Sequence, residues 1–551
     1  MSRAGASLGD LLLARLGEER PGLKFEDGEL TWDQYVQGCL DRASLLADRR
    51  REGPFHVGVL LDNVPDFVML LGAAAIGGAT VVGLNPTRRG SELADDIVHT
   101  DCQLLVTEPR HRALLDGLDL PLGADRILDV DDASYQAEVA AHAGAAPPPV
   151  TAGPDDLFLL VFTSGTSGRP KAVKCSQQKV LIPGRAVVGH LGLTDGDTSY
   201  LSMPLFHSAS VFAGWSPSVV AGCTMGMRRR FSASAFLDDV RRFGCTWFNY
   251  IGKPLAYVLA TPERPDDADN PLRIAMGNET THADAVRFAE RFDVVILEGY
   301  GATESGLNIL RTPDTPDGAM GPLPEGVAVI DTETGEPCPV ARFDAEGKLV
   351  NGEEAIGEMV NTDGPGLFQG YYRDEDAVEE RMRGGMYRSG DLAYVDVAGF
   401  AYFAGRTSEW LRVDGENLAA APIERLLLRH SDVAQAAVYA VPNVDVGDEV
   451  MAALVLEPGA TFDPVGFADF LAGQSDLGTK WAPRYVRLTA ELPHTATNKV
   501  LKRTLIQTGW QTPDPVYWRA GRDLAYREMT AANVDELARA FAARDGRSAV
   551  G

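Results

Sequence analysis

Residues 163–171 read T-S-G-T-S-G-R-P-K, directly after the apolar run at 157–162, and this order of residue types suits a polyphosphate. Gly165 and Gly168 permit backbone angles that side chains forbid, so successive amide N–H groups can converge on one anion. Thr163, Ser164, Thr166 and Ser167 add hydroxyl donors, and Lys171 adds a point charge that can follow phosphate charge as it moves. Composition alone would read the stretch as a Ser/Gly surface turn. The segment lacks the G-x-x-x-x-G-K-[ST] spacing of a Walker loop and is not that motif.

Five further segments carry side chains with chemical potential. Residues 204–209 read P-L-F-H-S-A and present His207; an isolated histidine beside an apolar strand is ordinarily a core residue. Residues 298–306 read E-G-Y-G-A-T-E-S-G, with M-G-N-E at 276–279 upstream. Then come Y-R-S-G-D ending at Asp391, G-R-T-S-E-W-L-R from Gly405 running on into V-D-G-E-N, and P-H-T-A-T-N-K ending at Lys499. Taken singly these are a turn, a surface arginine and a solvated lysine.

In order and spacing the six segments resemble the adenylate-forming enzymes, the superfamily of acyl-CoA synthetases, luciferases and peptide-synthetase adenylation domains. The resemblance implies roles. Thr163, Ser164, Gly165, Thr166, Ser167, Gly168 and Lys171 would hold the ATP phosphates, and Gly277 and Asn278 would line the adenine pocket. Glu298 and Gly299 lead to Tyr300, whose ring offers a stacking face for adenine. Thr303 offers a hydroxyl to the α-phosphate and Glu304 an oxygen to Mg²⁺, which takes one or two carboxylates plus substrate phosphates. His207 would gate and position the acyl group. Asp391 and Arg406 would grip the ribose from two sides. Gly415, Glu416 and Asn417 would line the CoA channel, and Lys499 would be the adenylation lysine.

Charge development explains the set. A carboxylate attacking the α-phosphorus brings two anions together, and Lys171, Lys499 and Glu304-bound Mg²⁺ would offset that charge with no general base. The thiol step needs space where Lys499 had been, so one domain must move. The pattern departs from the commonest wording at Ser408 with Glu409, at Asn498 and at Pro422. None of these removes a group the chemistry requires.

The wording is nearest to fatty-acid-transport-protein-like and steroid or long-chain acyl-CoA ligases. The expected activity is that of an ATP-dependent acyl-CoA ligase: a fatty or steroid side-chain acid becomes acyl-AMP with loss of pyrophosphate, then acyl-CoA with loss of AMP. Ala209, Ala213, Gly214 and Gly306 are small enough to leave room for such an acid, and small residues equally serve tight packing. One alternative is an acyl-AMP ligase loading a carrier protein. Another is a membrane-associated lipid-uptake or binding protein with vestigial catalysis.

The elements that must position these groups follow from length and patterning. A chain of 551 residues allows about three to four domain-sized units. Short β-rich runs at 57–61, 104–107, 158–162, 199–203 and 294–297 alternate with helical patterns, which predicts an α/β fold of parallel sheets covered by helices. The expected organisation is a large domain over 1–404 containing a β-rich subdomain, a hinge at 405–410, and a small mobile α+β domain with a C-terminal extension over 411–551. In the small domain, 436–441 and 451–456 read as strands and 422–428 as a helix. A helix is expected at 534–544.

With 51 basic and 78 acidic residues the formal net charge is −27, a field that repels nucleic acid and anionic membrane. ATP and CoA must therefore meet local positive charge, which increases the interest of Lys171 and Lys499. No nucleic-acid partner is expected and no membrane partner beyond a peripheral one; a homodimer is admitted. Six cysteines without a C-x-x-C pair fit a reducing, cytoplasmic setting. Residues 7–20 read as an amphipathic helix and not a signal peptide. The uncharged run 67–84 is long enough to span a bilayer, but its paired glycines divide it into a buried helix and a buried strand.

Overall fold

The computed structural model describes residues 6–148, 152–163, 170–278, 280, 282–345, 349–406, 411–413, 416–443, 448–474, 477, 480–494, 500–519, 521 and 523–548. The chain divides into two compact units, Met1–Asn308 with Pro365–Arg383, and Ile309–Gly364 with Gly384–Gly551.

The first unit holds two sheets. One runs, in spatial order, Ile127–Asp129, Cys102–Thr107, His56–Leu60, Thr80–Gly83, Leu157–Thr163 and Lys171–Ser176. Its first five strands are parallel and the last is antiparallel. The other runs Val295–Gly301, Ile274–Asn278, Trp247–Ile251, Thr198–Leu201, Thr224–Met227, Pro21–Phe25 and Gly28–Thr31, parallel until its final strand. The central strands are continuous apolar runs because helices cover both faces, as the alternation predicts.

The ambiguous run at 67–84 is a helix, Pro65–Gly77, and a strand, Thr80–Gly83. Gly78 ends the helix at φ 74, a left-handed angle that favours glycine, and every residue of the helix from Phe67 to Ile76 is buried. Among the described residues no helix is long and apolar enough to cross a membrane. The N-terminal helix is shorter than expected, Leu8–Leu13, fixed by a capping box between Ser7 and Asp10. It packs tightly, since a Cβ on Gly9 would lie 2.5 Å from the carbonyl oxygen of Ala75.

The second unit opens with an antiparallel sheet in the order Gly321–Pro322, Phe400–Arg406, Tyr387–Val395, Gly357–Asn361 and Val327–Ile330. A second sheet joins Val433–Pro442, Asp448–Leu456, Tyr485–Leu488, Val516–Trp518 and Arg527–Glu528. The helix Ala420–Leu427 buries Ile423, Leu426 and Leu427 against Val438, Val450 and Leu454 of that sheet. Pro422 falls in its first turn, where a missing N–H costs nothing. The last helix, Ala531–Ser548, docks through Phe541, whose ring stacks on Trp510 at 5.6 Å.

Candidate functional site

The phosphate segment leaves one strand and returns along its neighbour. Leu157–Thr163 and Lys171–Ser176 pair antiparallel with Thr163 opposite Lys171, so the two ends of the loop are pinned side by side. Ser164, Gly165, Thr166, Ser167 and Gly168 lie outside the described residues. Lys171 is buried at 6% exposure. Its Nζ lies 5.3 Å from the centre of the Tyr371 ring and 3.5 Å from Glu380 Oε2.

The acidic turn comes from the second sheet of the same unit. Ile274–Asn278 and Val295–Gly301 run parallel, with Gly277 opposite Glu298, and carry the expected adenine-side residues to their C-terminal ends. Gly277 must be glycine, because a Cβ there would fall 2.4 Å from the carbonyl oxygen of Tyr250 and 2.6 Å from its ring. Asn278 Oδ1 is buried with no hydrogen-bond partner among the described residues. Glu298, Gly299 and Tyr300 are only partly buried on their strand. Ser305 then adopts φ 54, an uncommon angle for a side-chain residue, and its N–H donates to the carbonyl of Ala302 at 2.9 Å.

This turn presents Thr303 and Glu304. The hydroxyls of Thr303 and Ser208 meet at 2.6 Å, which ties the turn to the segment bearing His207. Glu304 is 7% exposed. Its Oε1 accepts from the Tyr371 hydroxyl at 3.0 Å and, more weakly, from Thr163 Oγ1 at 3.4 Å. The structure thus brings Thr163, Glu304, Thr303 and Lys171 into one neighbourhood. A buried lysine belongs there too: Lys179, fully buried, donates to the carbonyl of Lys174 at 3.2 Å. Burial lowers its ammonium below the ordinary value, and the nearby charges of Cys175 and Glu304 act the other way.

His207 sits just before the short helix Ser208–Ser210, and its ring lies 4.4 Å from that of Phe206. Its turn is held from behind by Asn63, which donates to the carbonyl of Met203 and accepts from the N–H of Leu205, each at 2.9 Å. Asn63 adjoins a buried charge cluster. Asp62 accepts from His111 at 3.0 Å, from Arg110 at 2.7 Å and from Arg230 at 3.0 and 3.1 Å. Glu108 takes the Asp62 N–H at 2.8 Å and pairs with Arg229. Burial would raise the Asp62 carboxyl, but the His111 and Arg230 bonds hold it well below the usual carboxylate range. Three arginines already occupy these oxygens, so the cluster is a structural clamp and not a cation site.

Gly214 does not open space for an acyl chain. A Cβ there would lie 2.8 Å from Leu201 Cδ2 and 3.0 Å from Asn249 Oδ1, so the missing side chain serves close packing.

Asp391 and Arg406 lie in the second unit, directly opposite each other on the hairpin of Tyr387–Val395 and Phe400–Arg406. Arg406 Nε lies 3.4 Å from Asp391 Oδ1. Glu358 braces this turn, accepting from Arg388 at 2.8 Å and from the N–H of Gly390 at 2.9 Å. Glu416 and Asn417 begin the strand Glu416–Leu418, paired with Leu411–Val413. Gly415, Lys499 and positions 407–410 lie outside the described residues. Sequence reasoning missed Tyr371, Glu380, Arg381, Lys179 and Asn63; the G-Y-Y at 370–372 was the signal available for the first of these.

A Walker fold follows its phosphate loop with a helix. Here a strand returns beside the one that led in, and a neighbouring sheet supplies a carboxylate to that strand's last hydroxyl. Residues 14–372 match the AMP-binding enzyme family and residues 422–499 match the AMP-binding enzyme C-terminal domain. The chain belongs to this family of enzymes.

Among its relatives, medium/long-chain-fatty-acid–CoA ligase FadD17 of Mycobacterium marinum is 51% identical over 506 residues, covering 92% of this chain and 96% of the relative. Steroid-22-oyl-CoA synthetase of Rhodococcus jostii is 48% identical over 525 residues, covering 94% of each. The fold matches ATP-bound MatB from Rhodopseudomonas palustris with a TM-score of 0.79 at 23% identity, over 92% of this chain and 99% of that one.

Proposed function

We propose that the protein is an ATP-dependent acyl-CoA ligase that converts a hydrophobic carboxylic acid to acyl-AMP and then to acyl-CoA. The observation that carries the reading is the buried Glu304 carboxylate, joined to the hydroxyl at the end of the phosphate strand and placed in one unit with Lys171. Relatives near 50% identity over almost the whole chain support it, one named for fatty acids and one for a steroid-22-oyl group.

In this reading Lys171 and the loop amides hold the β- and γ-phosphates, Thr303 addresses the α-phosphate, and Asp391 with Arg406 takes the ribose. The unengaged Asn278 oxygen suits the amino group of adenine. Glu304 fits a Mg²⁺ ion: it is an oxygen ligand whose bonds among the described residues both fall on Oε1. When bound, the ion would neutralise phosphate charge. His207 shapes the acyl entry, and Lys499 stabilises the charge that builds between carboxylate and α-phosphate. Residues 405–410 serve as hinge between a domain over 1–404 and one over 411–551. Gly415, Glu416 and Asn417 line the pantetheine channel for the second step. The six unpaired thiols support a cytoplasmic setting.

A panel of fatty, aryl and steroid-side-chain acids with ATP, scored for pyrophosphate and AMP release with and without CoA, tests the proposal. CoA-dependent AMP release with medium- or long-chain or steroid-side-chain acids is the expected result. Failure of every acid to release pyrophosphate would overturn it.

A further inference from the structure

Tyr371 belongs to a segment outside all six motifs. Residues 369–372 add themselves to the free edge of the strand Lys171–Ser176, immediately behind the phosphate loop. The N–H of Lys174 donates to the carbonyl of Gly370 at 3.0 Å and the N–H of Tyr372 to the carbonyl of Ala172 at 2.7 Å, with Tyr371 bridged to Val173. The Gln369 carboxamide closes the far end, accepting from the Ser176 N–H at 2.7 Å and donating to Ser176 Oγ at 2.8 Å. The edge is thereby paired by main chain and side chain alike.

The added strand delivers one aromatic side chain between two functional groups. Tyr371 is 2% exposed. Its hydroxyl donates to Glu304 Oε1 at 3.0 Å and accepts from Arg381 Nε at 3.1 Å, while its ring lies 5.3 Å from Lys171 Nζ. A tyrosine serving only as core filling would leave its hydroxyl incidental; here the hydroxyl is the middle of a directed chain from guanidinium to carboxylate.

We propose that Tyr371 is a positioning residue that sets Glu304 and Lys171 at a fixed separation, with Arg381 steadying its hydroxyl. The proposal rests on reading Glu304 as the magnesium ligand and Lys171 as the phosphate contact. The physical need is plain. The terminal torsion of a glutamate is broad and nearly two-fold, so an unclamped carboxylate turns freely. A lysine ammonium sits on a flexible four-carbon stem, and the face of an aromatic ring is one of few apolar surfaces that attract it. A single rigid side chain, its hydroxyl bonded to Glu304 and its ring face beside Lys171, restricts both freedoms.

The test uses the full-length chain and three variants: Tyr371→Phe keeps the ring and removes the hydroxyl, Tyr371→Leu removes both, and Arg381→Met removes the support. The readout is the Mg²⁺ concentration needed for half-maximal thermal stabilisation at saturating nonhydrolysable ATP analogue, alongside analogue and AMP affinities measured without Mg²⁺. Tyr371→Phe should raise the Mg²⁺ requirement about tenfold, the scale of one lost hydrogen bond to a charged group, with metal-free affinities within about twofold of the parent. Arg381→Met should shift the requirement in the same direction by less, and the double variant Tyr371→Phe/Arg381→Met should be no worse than Tyr371→Phe alone. Tyr371→Leu should in addition weaken the metal-free analogue more than AMP, because AMP lacks the phosphates assigned to Lys171. An unchanged Mg²⁺ requirement in Tyr371→Phe, whatever its melting temperature, overturns the Glu304 half. Equal metal-free analogue binding in the Phe and Leu variants overturns the Lys171 half. No acid substrate enters these readings, so failure of the acid panel would defeat the ligase proposal separately.

Discussion

Replacing Asn63 with alanine should cripple the turn that carries His207 without touching any residue assigned to substrate. Asn63 is 2% exposed and makes two bonds of 2.9 Å, to the Met203 carbonyl and the Leu205 N–H. Alanine abolishes both and leaves a buried carbonyl and a buried N–H behind. Each abandoned buried group costs about 1–3 kcal/mol, and partial collapse or an entering water recovers some of it, so a loss of about 2–4 kcal/mol is expected. The same release lets His207 drift, and a displacement of about 1 Å near reacting groups costs on the order of a hundredfold in rate. The assay pairs urea unfolding with single-turnover pyrophosphate release at saturating ATP, under conditions where the variant is fully folded. Asn63→Asp keeps the acceptor for Leu205 but loses the donor to Met203 and sets a second charge beside Asp62, so it should do no better. If Asn63→Ala keeps its turnover within about twofold while losing the stability expected of two broken bonds, the clamp supports only the fold and the link to His207 fails.

Gly277→Ala forces a methyl to within 2.4 Å of the Tyr250 carbonyl and should cost about 1–3 kcal/mol by urea unfolding, with a raised KM for ATP read from pyrophosphate release across an ATP titration. Asp62→Asn should alter acid sensitivity. A carboxylate held below its unfolded value contributes stability that is complete above about pH 4 and lost as pH falls through the folded value. The parent should therefore lose urea resistance more steeply than Asp62→Asn below about pH 4, although the variant is the weaker at neutral pH. Burial pushes the thiols of Cys39, Cys102 and Cys223 up to about 12 and those of Cys175 and Cys338 up to about 11. A chromogenic disulfide reagent at neutral pH should label the native chain slowly, Cys338 first because it is the least buried, and all six thiols on unfolding. Rapid labelling of Cys175 would contradict the packing around Glu304.

Local pattern carries much of this molecule. Alternating apolar runs mark the parallel strands, and the two glycines at 77 and 78 are enough to separate helix from strand. Glu304 and Lys171, chosen from residue type and order, lie on either side of Tyr371 in the structure, and their roles toward phosphate are part of the proposal. Tyr371 and Arg381 cannot, since their meaning depends on a strand pairing with residues about two hundred positions earlier, which no short window of sequence displays. Small residues mislead for a related reason. Gly214 looks the same in sequence whether it leaves a void or admits a neighbour, and only the approach of Leu201 and Asn249 decides between them. Apolar spacing overextends the N-terminal helix because Leu16 continues the i, i+4 series of Leu8 and Leu12, yet in the fold Leu16 is exposed and Gly17 turns the chain at φ 78.

The edge strand at 369–372 has a consequence for biosynthesis. Tyr371 is made 67 residues after the glutamate it holds. At about 5–20 residues per second that gap lasts on the order of 3–13 s. During it the ribosome produces Ile309–Gly364, which belongs to the other compact unit. A nascent chain therefore carries both sheets of its first unit, and the loop sequence, before its carboxylate acquires a clamp. The order of residues along the chain leaves the Glu304 carboxylate without its Tyr371 hydrogen bond until synthesis has passed this first stretch of the second unit.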